Sequence, residues 1–149
     1  MIKILFICHG NICRSPMAEY VMKDLVDKQG RSAEFLIASA ATSTEEIGNG
    51  IYRPARAELA RHGIGCDGRK YAVQITHGDY DKYDLLIGMD SANIRNMQRM
   101  FGGDPQGKIR KLMDYTDRGG DVADPWYTDR FDVAYRDIYD GCVALLKTL

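Results

Sequence analysis

Ile2-Lys3-Ile4-Leu5-Phe6-Ile7-Cys8-His9-Gly10-Asn11-Ile12-Cys13-Arg14-Ser15-Pro16-Met17 decides how the rest of the chain is read. Residues 2–7 are apolar and β-branched apart from Lys3, the composition of a strand buried on both faces of a parallel sheet. Ser15-Pro16 offers an N-cap and a first helical residue. Met17, Tyr20, Val21, Met22, Leu25 and Val26 then recur at helical spacing until Gln29-Gly30. A strand leading through a short polar turn into a helix is the start of a β-α-β unit, and the turn lies where such units bind ligands.

The pattern repeats outward from there. Phe35-Leu36-Ile37-Ala38 predicts a second strand, residues 41–50 a loop, and Pro54 the start of a second helix that buries Ala55, Leu59 and Ala60 before His62-Gly63 stops it. Residues 84–89 predict a third strand; Asp90-Ser91 starts a helix with Ile94, Met97 and Met100 inward, closed by Phe101-Gly102-Gly103. Residues 109–113 predict a fourth strand and 114–128, rich in Gly and Asp with Pro125 inside, a long surface loop. The last helix, from Asp129 or Phe131, turns Val133, Ala134, Ile138, Cys142, Leu145 and Leu146 inward. The alternation predicts an α/β fold: one domain over 1–149, an open parallel four-stranded sheet with helices on both faces and a phosphate-binding loop after the first strand.

Composition narrows the function classes. Hydrophobic residues make up 45% and charged residues 28% of the 149, which is globular, and no apolar run approaches the ~20 residues of a membrane span. Lys and Arg number 20 against 21 Asp and Glu, net charge −1, with neither sign gathered into a block. This disfavours nucleic acid or a membrane as partner. The apolar opening is too short for a signal peptide, so a cytoplasmic location is expected, with Cys8, Cys13, Cys66 and Cys142 as reduced thiols.

Cys8-x5-Arg14-Ser15 carries the chemistry. Gly10 and Asn11 tolerate the positive backbone dihedrals that curl a loop until its N–H groups point inward. Such a nest at a helix N-terminus holds an oxyanion, and Arg14 adds a planar charged fork for two phosphate oxygens. The same field stabilises negative charge on the Cys8 sulfur, to which Ser15 can donate its hydroxyl. The plainer reading makes Cys8 a small buried hydrophobe ending a strand. A zinc site on Cys8 and Cys13 lacks further ligands at paired spacing. Cys13, on the same curl, is close enough in sequence to form a protective disulfide with an oxidised Cys8.

Far along the chain, the Asp124 of Asp124-Pro125-Trp126-Tyr127 is either one more solvated carboxylate of an Asp-rich loop or the group that delivers a proton to a leaving oxygen, which a nucleophilic Cys8 cannot do. Trp126 and Tyr127 either wall a slot for a phenyl ring or pack beneath their loop.

The stretch Ile7-Cys8-His9-Gly10-Asn11-Ile12-Cys13-Arg14-Ser15-Pro16-Met17-Ala18-Glu19, together with Asp124-Pro125-Trp126-Tyr127, resembles the signatures of the low-molecular-weight protein tyrosine phosphatases. The resemblance implies Cys8 as nucleophile, Arg14 as phosphoryl ligand and Asp124 as general acid. It also implies a substrate-binding loop of His9, Gly10, Asn11, Ile12, Cys13 and Ser15, with Asn11, Ser15 and Ser39 in the network that holds it. Phosphotyrosine proteins or small aryl phosphates are the implied partners, handled by a monomer without metal or cofactor.

Departures and rivals follow from the same comparison. Glu45, followed by Glu46, stands where relatives commonly carry an aromatic wall, Ala40 where some have Gly, and Lys70-Tyr71-Ala72-Val73-Gln74 where His-x-Ala-Arg-Gln is usual. Lys70 either replaces the supporting histidine or is solvated. A sister group acting on phosphoarginine carries threonine at the position of Ile12. Arsenate reductases of this fold need two further cysteines near the third strand, and residues 74–96 contain none. A non-catalytic phosphopeptide-binding module would need Arg14 but neither Cys8 nor Asp124.

Overall fold

The computed structural model describes residues 1–66 and 68–149. In chain order it contains β1 (Ile2–Cys8), α1 (Arg14–Lys28), β2 (Phe35–Ala41), α2 (Arg53–Arg61), α3 (His77–Lys82), β3 (Leu85–Gly88), α4 (Ser91–Phe101), β4 (Ile109–Lys111), α5 (Pro125–Thr128) and α6 (Phe131–Leu146). Short 3₁₀ turns occupy Ser32–Glu34 and Leu112–Tyr115. The four strands form one parallel sheet in the order β2-β1-β3-β4. β1 therefore has β2 on one side and β3 on the other. The first crossover carries the chain from β1 to β2 on one side, and the next carries it from β2 past β1 to β3 on the other, which opens a crevice at the carboxyl end of β1, at Cys8.

Side-chain alternation along β1 divides the core into two layers. Ile4, Phe6 and Cys8 face α1, α2 and α6 and pack with Met17, Val21, Leu59, Ile138, Cys142 and Leu145. Leu5 and Ile7 face α3 and α4 and pack with Tyr80, Met97 and Ile109. Both faces of β1 are dry from Ile4 to Cys8, as the apolar run after Lys3 requires.

The structure corrects several sequence expectations. α1 starts at Arg14 after Cys13, so Ser15 and Pro16 lie inside the first turn, and Ser15 does not cap the helix because its hydroxyl is engaged by Cys8 and Asn11. β2 continues beyond Ala38 to Ala41, since the small Ala38, Ser39, Ala40 and Ala41 pair in register with Leu5, Phe6, Ile7 and Cys8. β3 is trimmed to Leu85–Gly88, where pairing with Ile4–Ile7 ends; Asp84 instead accepts a bond from the Lys3 N–H through its side chain. β4 stops at Lys111 because Leu112 and Met113 turn into the core. α3 was not foreseen: six residues show no apolar period, and a capping box between Thr76 and Asp79 holds them. α5 likewise sits inside the expected 114–128 loop.

The contact of α6 with the turn after β4 is close enough to demand a glycine. A β-carbon on Gly141 would lie 2.5 Å from Cγ of the fully buried Leu112. Alanine in a helix interior gains about 1 kcal/mol over glycine, whereas overpacking a tight core costs about 1–3 kcal/mol. Gly141→Ala is expected to lower the thermal midpoint by a few degrees. An unchanged or raised midpoint in a calorimetric scan would show that Leu112 yields without cost.

Candidate active site

Beyond β1 the chain curls through His9, Gly10, Asn11 and Ile12 before entering α1. Asn11 takes φ 59°, the left-handed conformation its short polar side chain tolerates. That turn aims the Asn11 N–H at Cys8 Sγ, 3.3 Å away. The Asn11 side chain fixes the curl at both ends, since Nδ2 donates to Ser15 Oγ at 2.8 Å and Oδ1 accepts from the Val73 N–H at 3.2 Å. With Ser15 Oγ already accepting from Asn11, its own hydrogen is free to go to Cys8 Sγ, 3.0 Å away. The N-cap residue Cys13 makes no side-chain cap, so the first-turn N–H groups of α1 are left for an anion.

Arg14 is 4% exposed, and its charge is satisfied from distant parts of the chain. Nη1 donates to the Val122 carbonyl at 3.0 Å, and Nη2 donates to Asp90 Oδ2 at 2.9 Å and to Asp124 Oδ2 at 3.4 Å. Burial works against the charged guanidinium, but the Cys8 sulfur, Asp124 and Asp90 outweigh it and raise its pKa above the ordinary arginine value. Asp90 is also the N-cap of α4, its Oδ1 accepting from the Asn93 N–H at 2.8 Å. Asp124 arrives on a strap that is pinned along its length. Val122 donates to the Met89 carbonyl, the Ala123 N–H donates to Asp137 on α6, and Arg118 pairs with Asp137 and Asp140. Asp124 caps α5 through the Trp126 N–H, leaving its second oxygen toward Arg14.

These groups line one cleft of about 460 Å³, which contains Cys8, His9, Gly10, Asn11, Ile12, Cys13, Arg14, Asp124, Trp126 and Tyr127 together with Glu45, Glu46, Asp90 and Asn96. Ser15 lies directly behind it, bonded to the sulfur. Trp126 and Tyr127 are largely exposed instead of packed under their loop, and Trp126 is steadied by a tilted ring contact with Tyr52 at 5.4 Å. Tyr52 in turn donates its N–H to the Ile12 carbonyl. Burial, with the Cys8 sulfur adding to it, pushes the Cys13 thiol well above the ordinary range, so it stays protonated at neutral pH. A larger cavity of about 890 Å³ against α6 contains no cysteine, and its buried Glu58 is paired with Arg61 and His62. Among the described residues, no cluster of His, Cys, Asp and Glu is placed to hold a metal ion, and no helix is long and apolar enough to cross a membrane.

The sequence profile of the low molecular weight phosphotyrosine protein phosphatase family matches residues 3–149. The chain belongs to this family. It is 38% identical to the low molecular weight protein-tyrosine-phosphatase YfkJ of Bacillus subtilis, over 100% of this chain and 96% of the relative. The crystal structure of SP-PTP, a low molecular weight protein tyrosine phosphatase from Streptococcus pyogenes, superposes with a TM-score of 0.91 at 40% identity, covering 100% of this chain and 93% of that one. The crystal structure of DARP, a Drosophila arginine phosphatase, superposes at 0.88 with 27% identity, covering 99% and 97%.

For this family member, two parts of the site escaped sequence reasoning. Asp90 was legible only as a helix start, because its bond to Arg14 joins residues 76 positions apart. Behind the loop, Ser39 donates to Glu19 Oε1 at 2.6 Å instead of to a loop residue, and Lys70 donates to the Ser39 carbonyl at 2.7 Å with Glu19 3.9 Å away. Lys70 is thus not solvated. Burial pulls its pKa below the ordinary lysine value, with Glu19 opposing. The short sequence 70–74 holds the loop by backbone, through Val73, and not by the side chain that the usual histidine would offer.

Asn11→Ala removes both side-chain bonds and leaves a residue with no local polar compensation at φ 59°. A loss of about 1–3 kcal/mol in urea unfolding is expected. Asn11→Gly should recover only the dihedral part of it. Equal stability of all three proteins would show that the loop is held elsewhere.

Proposed function

We propose that the chain hydrolyses aryl phosphate monoesters, phosphotyrosine foremost, in two steps through a cysteinyl phosphate. One observation carries the reading: the Cys8 sulfur, the Arg14 guanidinium and the Asp124 carboxyl share a single cleft, although Asp124 lies 110 positions from Arg14. In the first step the Cys8 thiolate attacks phosphorus in line. The bond to the tyrosyl oxygen breaks as Asp124 delivers its proton to that oxygen. Water then attacks the cysteinyl phosphate while Asp124, now ionised, takes a proton from it, and the thiolate leaves toward the Ser15 hydroxyl and the Asn11 N–H. The loop N–H groups and Arg14 carry the charge on the equatorial oxygens in both steps. Trp126 and Tyr127 offer ring surface for the phenyl group, and Ile12 lines the cleft with hydrocarbon in place of the hydroxyl carried by the sister arginine phosphatases. Both features support tyrosine over arginine. The reading takes the acting unit to be a monomer working on phosphotyrosine proteins or small aryl phosphates.

Cys8→Ser is expected to abolish turnover of p-nitrophenyl phosphate while retaining phosphate binding. Asp124→Asn should slow hydrolysis of phenyl phosphate by roughly 10²–10⁴-fold and that of esters with stable phenolate leaving groups by much less. Equal losses for good and poor leaving groups would remove Asp124 from proton transfer, and residual turnover in Cys8→Ser would remove the covalent intermediate.

The same reading gives Cys13 a protective role. Peroxide oxidises the Cys8 thiolate to a sulfenic acid with release of hydroxide, and Cys13 sulfur then displaces water to form the Cys8–Cys13 disulfide, which dithiothreitol reduces. Peroxide-treated wild type should recover with dithiothreitol, and Cys13→Ser should recover far less. Matching recovery would remove the protective role of Cys13, and a different disulfide partner such as Cys66, found by mass spectrometry, would replace it.

A further inference from the structure

We infer that the mouth of the cleft selects phosphotyrosine flanked by lysine or arginine, and that Glu45 and Glu46 are the residues that set this preference. The inference rests on the phosphatase reading above and adds a substrate class to it. The charged groups lining the cleft are strongly unbalanced. Glu45, Glu46, Asp90 and Asp124 contribute four carboxylates, and Arg14 is the only lysine or arginine among the described lining residues. Arg14 is buried at the floor, where the phosphate goes, and two of those carboxylates, Asp90 and Asp124, are turned toward it. Glu45 and Glu46 remain for the rim.

Neither rim glutamate is a loose surface chain. Glu45 Oε2 lies 2.9 Å from His9 Nε2, and its backbone N–H donates to Ser43 Oγ, which itself donates to the His9 carbonyl at 2.8 Å. Glu46 Oε2 accepts from Asn49 Nδ2 at 2.6 Å, and its Cγ lies 3.3 Å from where a β-carbon on Gly10 would sit. The stem of Glu46 therefore rests directly on the phosphate-binding loop. The partners, an imidazole and an amide, each orient one carboxylate oxygen. Two negative charges are thus held at fixed positions beside a site that accepts a dianion. The cost to the phosphate itself is met by Arg14 and the loop N–H groups, but neighbouring residues of the substrate meet the rim without such compensation. A flanking Asp or Glu is repelled there and a flanking Lys or Arg attracted, within a Debye length of about 8–10 Å. The aryl ring keeps Trp126 and Tyr127 as its surface, so replacing an aromatic by a carboxylate in the loop after β2 trades ring contact for charge selection.

Three phosphotyrosine peptides of one length test this, with Lys and Arg, with Ser and Gly, or with Asp and Glu around the phosphotyrosine. At low ionic strength kcat/KM is expected to be about three- to tenfold higher for the basic than for the acidic peptide, the scale of two exposed charge contacts. Added salt should narrow the ratio. The ratio should approach one in Glu45→Gln/Glu46→Gln and invert in Glu45→Lys/Glu46→Lys, and because it is taken within each variant, a general loss of activity does not imitate it. A ratio of one or below in the wild type, or a ratio that survives charge reversal, overturns the inference. Failure of all three peptides to be hydrolysed would instead overturn the phosphatase reading on which it rests.

Discussion

A guanidinium removed from water must be surrounded by acceptors, and this requirement at Arg14 organises the site. Arg14 stands at the start of α1, buried, with its two terminal nitrogens satisfied by Asp90, Asp124 and the Val122 carbonyl. Those acceptors come from the β3–α4 junction and from the strap before α5, so a single buried charge ties together three segments that are remote in sequence. Removing any one acceptor would leave part of the charge unpaired, which is costly where water cannot reach. The arrangement therefore fixes the Arg14 guanidinium and, by the same contacts, holds Asp124 in the cleft beside it.

The switch point of the sheet makes that convergence possible. β1 lies between β2 and β3, and its apolar residues fill both layers of the core, so its carboxyl end opens between diverging crossovers. The loop there cannot relax into ordinary turn geometry, because Asn11, Ser15 and Val73 hold it from two sides. A helix whose first turn has no side-chain cap would be poorly satisfied in isolation. At this position the uncapped N–H groups face the cleft and are available to an anion, so the missing cap fits the proposed function. The reassignment of Ser15 from cap to sulfur partner fits it in the same way.

Behind and around this loop the protein departs from the common pattern by replacing one kind of support with another. The half-buried Lys70 and the buried Glu19 meet at Ser39 beneath the sheet edge, while the loop itself is anchored by the backbone of Val73. At the rim, Glu45 stands where an aromatic is usual, and His9 contacts Glu45 while Asn49 contacts Glu46. Cys8, Arg14 and Asp124 stand in the sequence signature of the family, while the differences fall behind the loop and at the rim of the cleft. In the proposed reading the buried floor meets the phosphoryl charge, while charges at the wetter rim act more weakly and are screened.

The sequence by itself determined the alternation of strands and helices, the switch point at Cys8, and the pairing of Cys8-x5-Arg14-Ser15 with Asp124. Those features depend on local periodicity and on residue types that have few other uses at such spacing. It also showed that Glu45 and Lys70 are unusual, but not what they touch. Only the tertiary structure decided that Ser15 serves the sulfur instead of the helix, that Asp90 clasps Arg14 while capping α4, that β2 extends through its small residues to Ala41, and that Lys70 is held half-buried against Ser39 and Glu19. Each of these depends on a choice between a local partner and a distant one of similar chemistry. A serine hydroxyl or an aspartate oxygen satisfies either equally well, so the outcome is set by which segments the sheet brings within hydrogen-bonding distance.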